Sequence, residues 1–315
     1  MTSLQPSSAP SRLTNGFVVC GLAMLCCVLW GSAFPCIKIG YAMFHIGPDA
    51  VGSQLLFAGM RFTLAGIFAL VLGSLSAKRF LVPKKQSWPS IFKLCLVQTV
   101  AQYLFFYIGL ANTSGTKGAV LNQINVFLLV LLTPLFFKTE KLTRRKIVGC
   151  GIGFAGIIVM NLRGMRFCLE WGDLIVILSS CFAAAGYLLA KAMPAGSDPI
   201  QTTGWQQMFG GGVLLALGLL SGGRLKEWNL PGVATFLFLV VCAAAAYSLW
   251  FYLLQRNDVG RISVYKFLTP IFGVALSGLL LGESIFTIEN IAALVLVCVG
   301  LIISNGAAGR ESEPY

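Results

Sequence analysis

FFKTEKLTRRKIVGCGIGFAGIIVMN, residues 136–161, lies over LLLGESIFTIENIAALVLVCVGLIISN, residues 279–305. Glu140 pairs with Glu283 at a separation of 143 residues and Asn161 with Asn305 at 144, so one position slips between them. A second pair keeps the same order: LWGSAFPCIK (29–38) over CFAAAGYLLAK (181–191), with Lys38 against Lys191. The likeness is weak, but its order makes the chain two copies of one unit. The charges around the two glutamates differ. Lys138, Lys141, Arg144, Arg145 and Lys146 surround Glu140, whereas Glu283 is followed only by Glu289.

Composition supplies the solvent. Hydrophobic residues make up 57% of the 315-residue chain, charged residues only 11%, and mean hydropathy is +0.83. A soluble domain carries about 25% charged residues. Apolar stretches long enough to cross a bilayer recur along the chain, and no run of short alternating strands suggests a barrel. The expected fold is an all-α membrane protein with ten transmembrane helices at 17–38, 51–73, 91–111, 117–137, 145–162, 172–193, 202–221, 232–254, 262–281 and 287–306. The connections are too short for a soluble catalytic domain. The first apolar run is too long for a signal-peptide core, so it is read as a retained helix.

The net charge of +12 does not imply nucleic acid, because the basic residues cluster beside apolar spans, where topology explains them. One side of the membrane collects fourteen Lys and Arg, including Lys78, Arg79, Lys84 and Lys85, and the other collects six. The basic side is expected to be cytoplasmic and to hold both termini, in a cytoplasmic (inner) membrane. Each repeat has five spans, and an odd number turns the second repeat upside down. The units are a tail at 1–16, a first five-helix repeat at 17–162, an inverted second repeat at 163–306 and a tail at 307–315. Inverted repeats are a transporter architecture, with the solute site near the midplane between them.

The chain resembles the EamA-type drug/metabolite transporters through LWGSAFPCIK in span 1, FAGMRFTLAG in span 2, LTPIFGVALSGLLLGE in span 9 and its following loop, and the glycine-rich span 5 after Glu140. The resemblance covers about residues 17–306. It implies two five-helix inverted repeats around a central cavity, alternating access, and transport of small metabolites, often amino acids or related compounds and frequently outward. Two positions depart from the family pattern: Phe127 stands where the second repeat has Pro270, and Ala183 replaces the usual aromatic of span 6.

Intramembrane polar residues are costly and mark candidate sites. Lys266 lies about 7 Å inside span 9 at 1.5 Å per residue. It either snorkels to the headgroups or meets a substrate carboxylate in a cavity. Ser263, Lys266 and Pro270 share a face, and Pro270 frees the backbone carbonyl of Lys266. Tyr265, beside Lys266, is a further candidate. Gln98 and Gln102 in span 3 and Asn122 and Asn125 in span 4 suit either interhelical hydrogen bonds or a polar cavity wall. Tyr247 and Trp250 in span 8, and Trp30 in span 1, lie inside their spans, where rings can stack on a solute. Arg61 reads as structural, bonded to carbonyls or lipid phosphate. Gly149 and Gly153 suit close helix packing and pairing of two copies.

Most of the ten cysteines lie in apolar spans and behave as small apolar residues. No Cys/His spacing suits a metal, and no cofactor is expected. His45 reads as an exposed loop residue. The spans hold no paired Asp, no central His and no P-loop, which argues against an enzyme or an ATP-driven pump. Asp49, Asp173, Glu283 and Glu289 lie near span ends, which favours facilitated movement or exchange over an intramembrane proton site. The expected partners are a small solute and membrane lipids. A lipid flippase or an exporter of cationic drugs is the alternative.

Overall fold

The structure, a computed structural model, describes residues 16–137, 142–160, 162–163, 166–167, 169–194, 197–256, 264–284 and 286–305. Glu140, Asn161 and Ser263 lie outside the described residues. The described chain is almost entirely helical: α1 Gly16–Met43, α2 Val51–Ala77, α3 Trp88–Leu94, α4 Gln102–Ala111, α5 Gly115–Leu121, α6 Ile124–Phe136, α7 Arg144–Met160, α8 Trp171–Lys191, α9 Pro199–Leu220, α10 Leu230–Arg256, α11 Leu268–Leu281 and α12 Ile288–Asn305. One two-residue ladder pairs Leu162–Arg163 with Arg166–Phe167.

Among the described residues, six helical stretches are long and apolar enough to cross a membrane: Phe17–Met43, Val51–Ala77, Lys85–Ala111, Gly115–Phe136, Trp171–Lys191 and Leu230–Trp250. Leu268–Leu281 and Ile288–Ile303 are apolar but shorter. Their outer faces are apolar as well. Leu64, Val71, Leu72 and Leu75 on α2 and Ile291, Val295, Val299 and Ile302 on α12 are all exposed. Soluble monomers rarely present apolar surface on that scale, whereas hydrocarbon solvates it. This is a multi-pass membrane protein.

Among the described residues, three spans are irregular. A π-helical stretch, Cys95–Ala101, joins α3 to α4. Asn122 and Gln123 separate α5 from α6. A 3-10 turn, Val264–Phe267, precedes α11, because Pro270 offers no N–H to the carbonyl of Lys266. Asn122–Gln123, at the α5–α6 break, and Tyr265–Lys266, in the 3-10 turn, are 143 residues apart, the separation of Glu140 and Glu283.

The tightest helix pair is α2 against α9, and it rests on glycine. Gly52, Gly59, Gly66 and Gly73 recur every seven residues on α2, and Gly204, Gly211 and Gly218 do so on α9. A methyl group at Gly52 would lie 2.7 Å from the Ser221 carbonyl oxygen, and one at Gly66 would lie 2.6 Å from that of Gly204. Side-chain-free seams let the two backbones touch, and a seven-residue repeat keeps them in register. The glycine face of α7 is likewise filled within the chain. Gly149 and Gly153 back onto Gly300 of α12, and Gly153 also receives the Phe127 ring. The face that suggested pairing of two copies is therefore occupied by the chain itself.

Candidate functional site: a cationic cavity walled by rings

A cavity of about 90 Å³ lies among α1, α2, α4, the α5–α6 break, α8, α10 and the turn before α11. Lys266 reaches it from the 3-10 turn and is only 8% exposed. Its Nζ lies 4.1 Å from the ring centroid of Tyr187, 5.2 Å from that of Trp250 and 5.7 Å from that of Trp30. Trp30 and Trp250 meet edge to face, with centroids 5.1 Å apart. Lys266 is thus caged by aromatic faces. Such faces stabilise a desolvated ammonium by about 2 kcal/mol. Burying an ion costs several kcal/mol, so the cage offsets only part of it.

Arg61 enters the cavity from α2 and is 5% exposed. Its Nε donates to the Leu239 carbonyl at 3.1 Å, and Nη1 donates to the Tyr107 hydroxyl at 2.7 Å. Tyr41 in turn donates to the Tyr107 carbonyl at 3.0 Å. These partners are neutral. Among the described residues neither Arg61 nor Lys266 has a carboxylate partner. Among the described residues the cavity is therefore lined by two basic side chains and no carboxylate.

Polar, uncharged groups complete the wall. The Tyr103 and Tyr247 hydroxyls are hydrogen-bonded to each other across α4 and α10. Gln123 donates to the Ala119 carbonyl at 3.1 Å, and the Asn125 amide donates to the carbonyl of Asn122. The Gln102 side-chain oxygen is buried without a partner, as are both polar atoms of the Gln98 side chain.

Six of the nine residues singled out in the sequence line the cavity: Trp30, Gln102, Asn122, Asn125, Tyr247 and Lys266. Trp250 stands behind the wall and touches it through Lys266 and Trp30. Gln98 lies in the π-helical stretch and packs against Gly186 of α8. Tyr265 packs against the α1–α10 contact near Trp250, and its carbonyl accepts from the Cys27 thiol. Reading along single spans missed Gln123, Tyr103, Tyr187, Phe34 and Thr269, and it treated Arg61 as scaffold; all six line the cavity. The repeat could have found one of them, because Lys266, which the sequence singled out, follows Gln123 by 143 residues; Tyr187 follows Phe34 by 153, as Lys191 follows Lys38, but neither member of that pair had been singled out.

Two carboxylates tie helix ends to one another. The backbone N–H groups of Gly115 and Thr116 donate to the two oxygens of Glu283 at 2.7 and 2.8 Å. Asp173 is fully buried, pairs with Lys117 at 2.6 Å and accepts from the Thr113 hydroxyl. It also belongs to the capping box that starts α8, with Glu170 at the N-cap. Lys38 closes the last turn of α4 by donating to the Leu110 and Thr113 carbonyls at 3.2 and 2.6 Å. In the expected repeat division, Glu283 and Asp173 come from the second half and their partners from the first.

The sequence model of the EamA-like transporter family matches residues 18–162 and again residues 170–306. The chain belongs to the EamA-like transporter family. It is 28% identical over 314 residues to an uncharacterized transporter of Synechocystis, covering 92% of this chain and 91% of that one. It is 26% identical over 294 residues to the Escherichia coli K12 inner membrane transporter YedA, also uncharacterized, covering 91% and 90%. It is 26% identical over 297 residues to a probable amino-acid metabolite efflux pump of Salmonella typhimurium, covering 90% and 93%. A solved crystal structure superposes with a TM-score of 0.62 at 16% identity, covering 94% of this chain and 99% of that one; it speaks for the fold alone.

Proposed function

We propose that this EamA-family protein is a secondary carrier that moves small metabolites, amino acids or related compounds, across the cytoplasmic membrane by alternating access through the central cavity. The observation that carries the reading is Lys266, an ammonium held by three rings in a cavity that, among the described residues, has no carboxylate to neutralise it. A buried, unpaired charge inside a membrane is expensive and is retained where a solute uses it. The family name supports transport, and the Salmonella relative's name supports amino-acid-like solutes. Two buried cations work against the alternative of a cationic-drug exporter, because like charges repel in a low-dielectric site.

The proposed architecture is ten membrane helices in two inverted five-helix repeats. The double family match supports it, as do the α5–α6 break and the 3-10 turn, 143 residues apart, and the Tyr103–Tyr247 contact, whose members are 144 residues apart. The proposed site is Trp30, Arg61, Gln102, Asn122, Asn125, Tyr247 and Lys266, with Gln98, Tyr265 and Trp250 as its support. The cytoplasmic side is the end carrying Lys78, Arg79, Lys84, Lys85 and Arg144–Lys146, so both termini are cytoplasmic and the helix ends tied by Asp173 and Glu283 are external. The YedA relative supports an inner-membrane location. The test is uptake of a labelled solute panel into liposomes holding purified protein, without ATP. The expected result is uptake by wild type that Lys266→Gln reduces at least tenfold while the protein stays folded. Normal uptake by that variant removes Lys266 from the site and sinks the reading.

A further inference from the structure

We infer that the solute of this cavity is a small organic dianion, a dicarboxylate or an acid of like charge, whose two acidic groups meet Arg61 and Lys266. The inference rests on the central cavity being the transport site and says which of the related compounds it holds.

Charge decides the class. Arg61 and Lys266 both face the same cavity of about 90 Å³, and both are more than nine-tenths buried. Among the described residues, the hydrogen-bond partners of Arg61 are a carbonyl and a phenol, and Lys266 lies over three ring faces, with no carboxylate paired to either. Two carboxylates at helix ends, the buried Asp173 and the half-buried Glu283, are already committed. Asp173 is tied to Lys117 and Thr113, and Glu283 to the Gly115 and Thr116 amides. Two uncompensated cations call for two negative charges, and the solute is what remains to bring them.

A zwitterionic amino acid fits this arrangement poorly. Its carboxylate suits one cation, but its ammonium would enter a site that already holds two and offers no carboxylate to receive it. A diacid supplies one oxygen pair to the planar guanidinium fork and one to the ammonium. The remaining carboxylate positions need donors. Gln102, whose side-chain oxygen lacks a partner, has an amide that can supply one.

Size points the same way. Water needs about 10–15 Å³ of such space per molecule, so a cavity of about 90 Å³ offers on the order of six to nine water-sized positions. That suits the eight to ten heavy atoms, roughly, of a four- or five-carbon diacid better than a nucleotide or a large drug. The two cations also come from opposite halves of the chain. A dianion spanning them would draw the halves together, which an anion on one cation alone could not do.

The experiment titrates succinate, its monoamide succinamate and alanine against the purified protein and follows tryptophan fluorescence, because Trp30 and Trp250 flank Lys266. Succinate is expected to bind at least tenfold more tightly than succinamate and to leave alanine weaker still. Lys266→Gln is expected to bring the succinate/succinamate ratio near one. Arg61→Gln is expected to do the same; if it fails to fold, because Arg61 also holds Leu239 and Tyr107, the Lys266→Gln ratio decides alone. Succinamate or alanine binding as tightly as succinate, or no response to succinate, overturns the dianion. The cavity reading survives either result if uptake of any solute still depends on Lys266, and falls separately if it does not.

Discussion

At the scale of single residues, the cavity trades ion pairs for ring faces. Lys266 lies closest to Tyr187, 4.1 Å from its ring centroid, and this contact can be measured by a double-mutant cycle. Tyr187→Leu should destabilise the detergent-purified protein, and the coupling of Tyr187→Leu with Lys266→Gln should be about 1–2 kcal/mol. Tyr187→Phe should retain nearly all of it, since the face and not the hydroxyl makes the contact. A coupling indistinguishable from zero would mean that the ring only fills space. Lys266 was legible in the sequence because a charge in an apolar run is costly wherever it points. Tyr187 was not, because a tyrosine in a membrane helix is ordinary until something charged is known to lie over it. Arg61 was seen but read as scaffold. The structure shows two of its nitrogens bonded to scaffold groups while the side chain lines the cavity.

Glycine spacing governs the elements. The seven-residue repeat on α2 meets a seven-residue repeat on α9, and the backbones come together where both lack side chains. A methyl group at Gly59 would run into the Leu215 backbone, and one at Gly211 into that of Thr63. Gly59→Ala and Gly211→Ala should each lower stability by about 1–3 kcal/mol, as overpacking does. Gly212 has open space where a Cβ would stand, so Gly212→Ala should be neutral or should stabilise by up to about 1 kcal/mol through helix propensity. Thermal unfolding in detergent separates the two classes. Equal effects at Gly211 and Gly212 would remove the seam. The repeat was visible in the letters, but its partner was not. A glycine face in lipid suits any close neighbour, and Gly149 and Gly153, read as packing or pairing of copies, turned out to meet α12 of the same chain.

Across the whole molecule, the proposed carrier mechanism makes the contacts of Asp173 and Glu283 the candidate gate. Glu283 holds the start of α5, and Asp173 holds Lys117 and Thr113. Under the proposed orientation and repeat division, opening to the outside must break these contacts between halves. Asp173→Asn and Glu283→Gln keep the shapes but remove the charges that make the bonds strong. The double variant should therefore spend more time open to the outside. In a cysteine-free background carrying Ala33→Cys on the cavity wall, a membrane-impermeant thiol reagent added outside should label it at least fivefold faster with the double variant. An unchanged rate would show that these carboxylates hold the helix ends without gating access.

The sequence by itself determined that this chain lives in lipid, and it raised the expectation of two related parts. The first follows from apolar length, which sets membrane crossing; the second follows from paired separations such as 143 between Glu140 and Glu283. Only the tertiary structure decided which face of each helix turns inward. In water, burial of an apolar stripe announces the inner face. In a bilayer the lipid tails are as apolar as the protein interior, so a face carrying Tyr187 or Gly59 is solvated equally well on either side. What selected the inner faces was the fit of helix against helix and the need of Arg61 and Lys266 for partners, and both are properties of the assembled bundle.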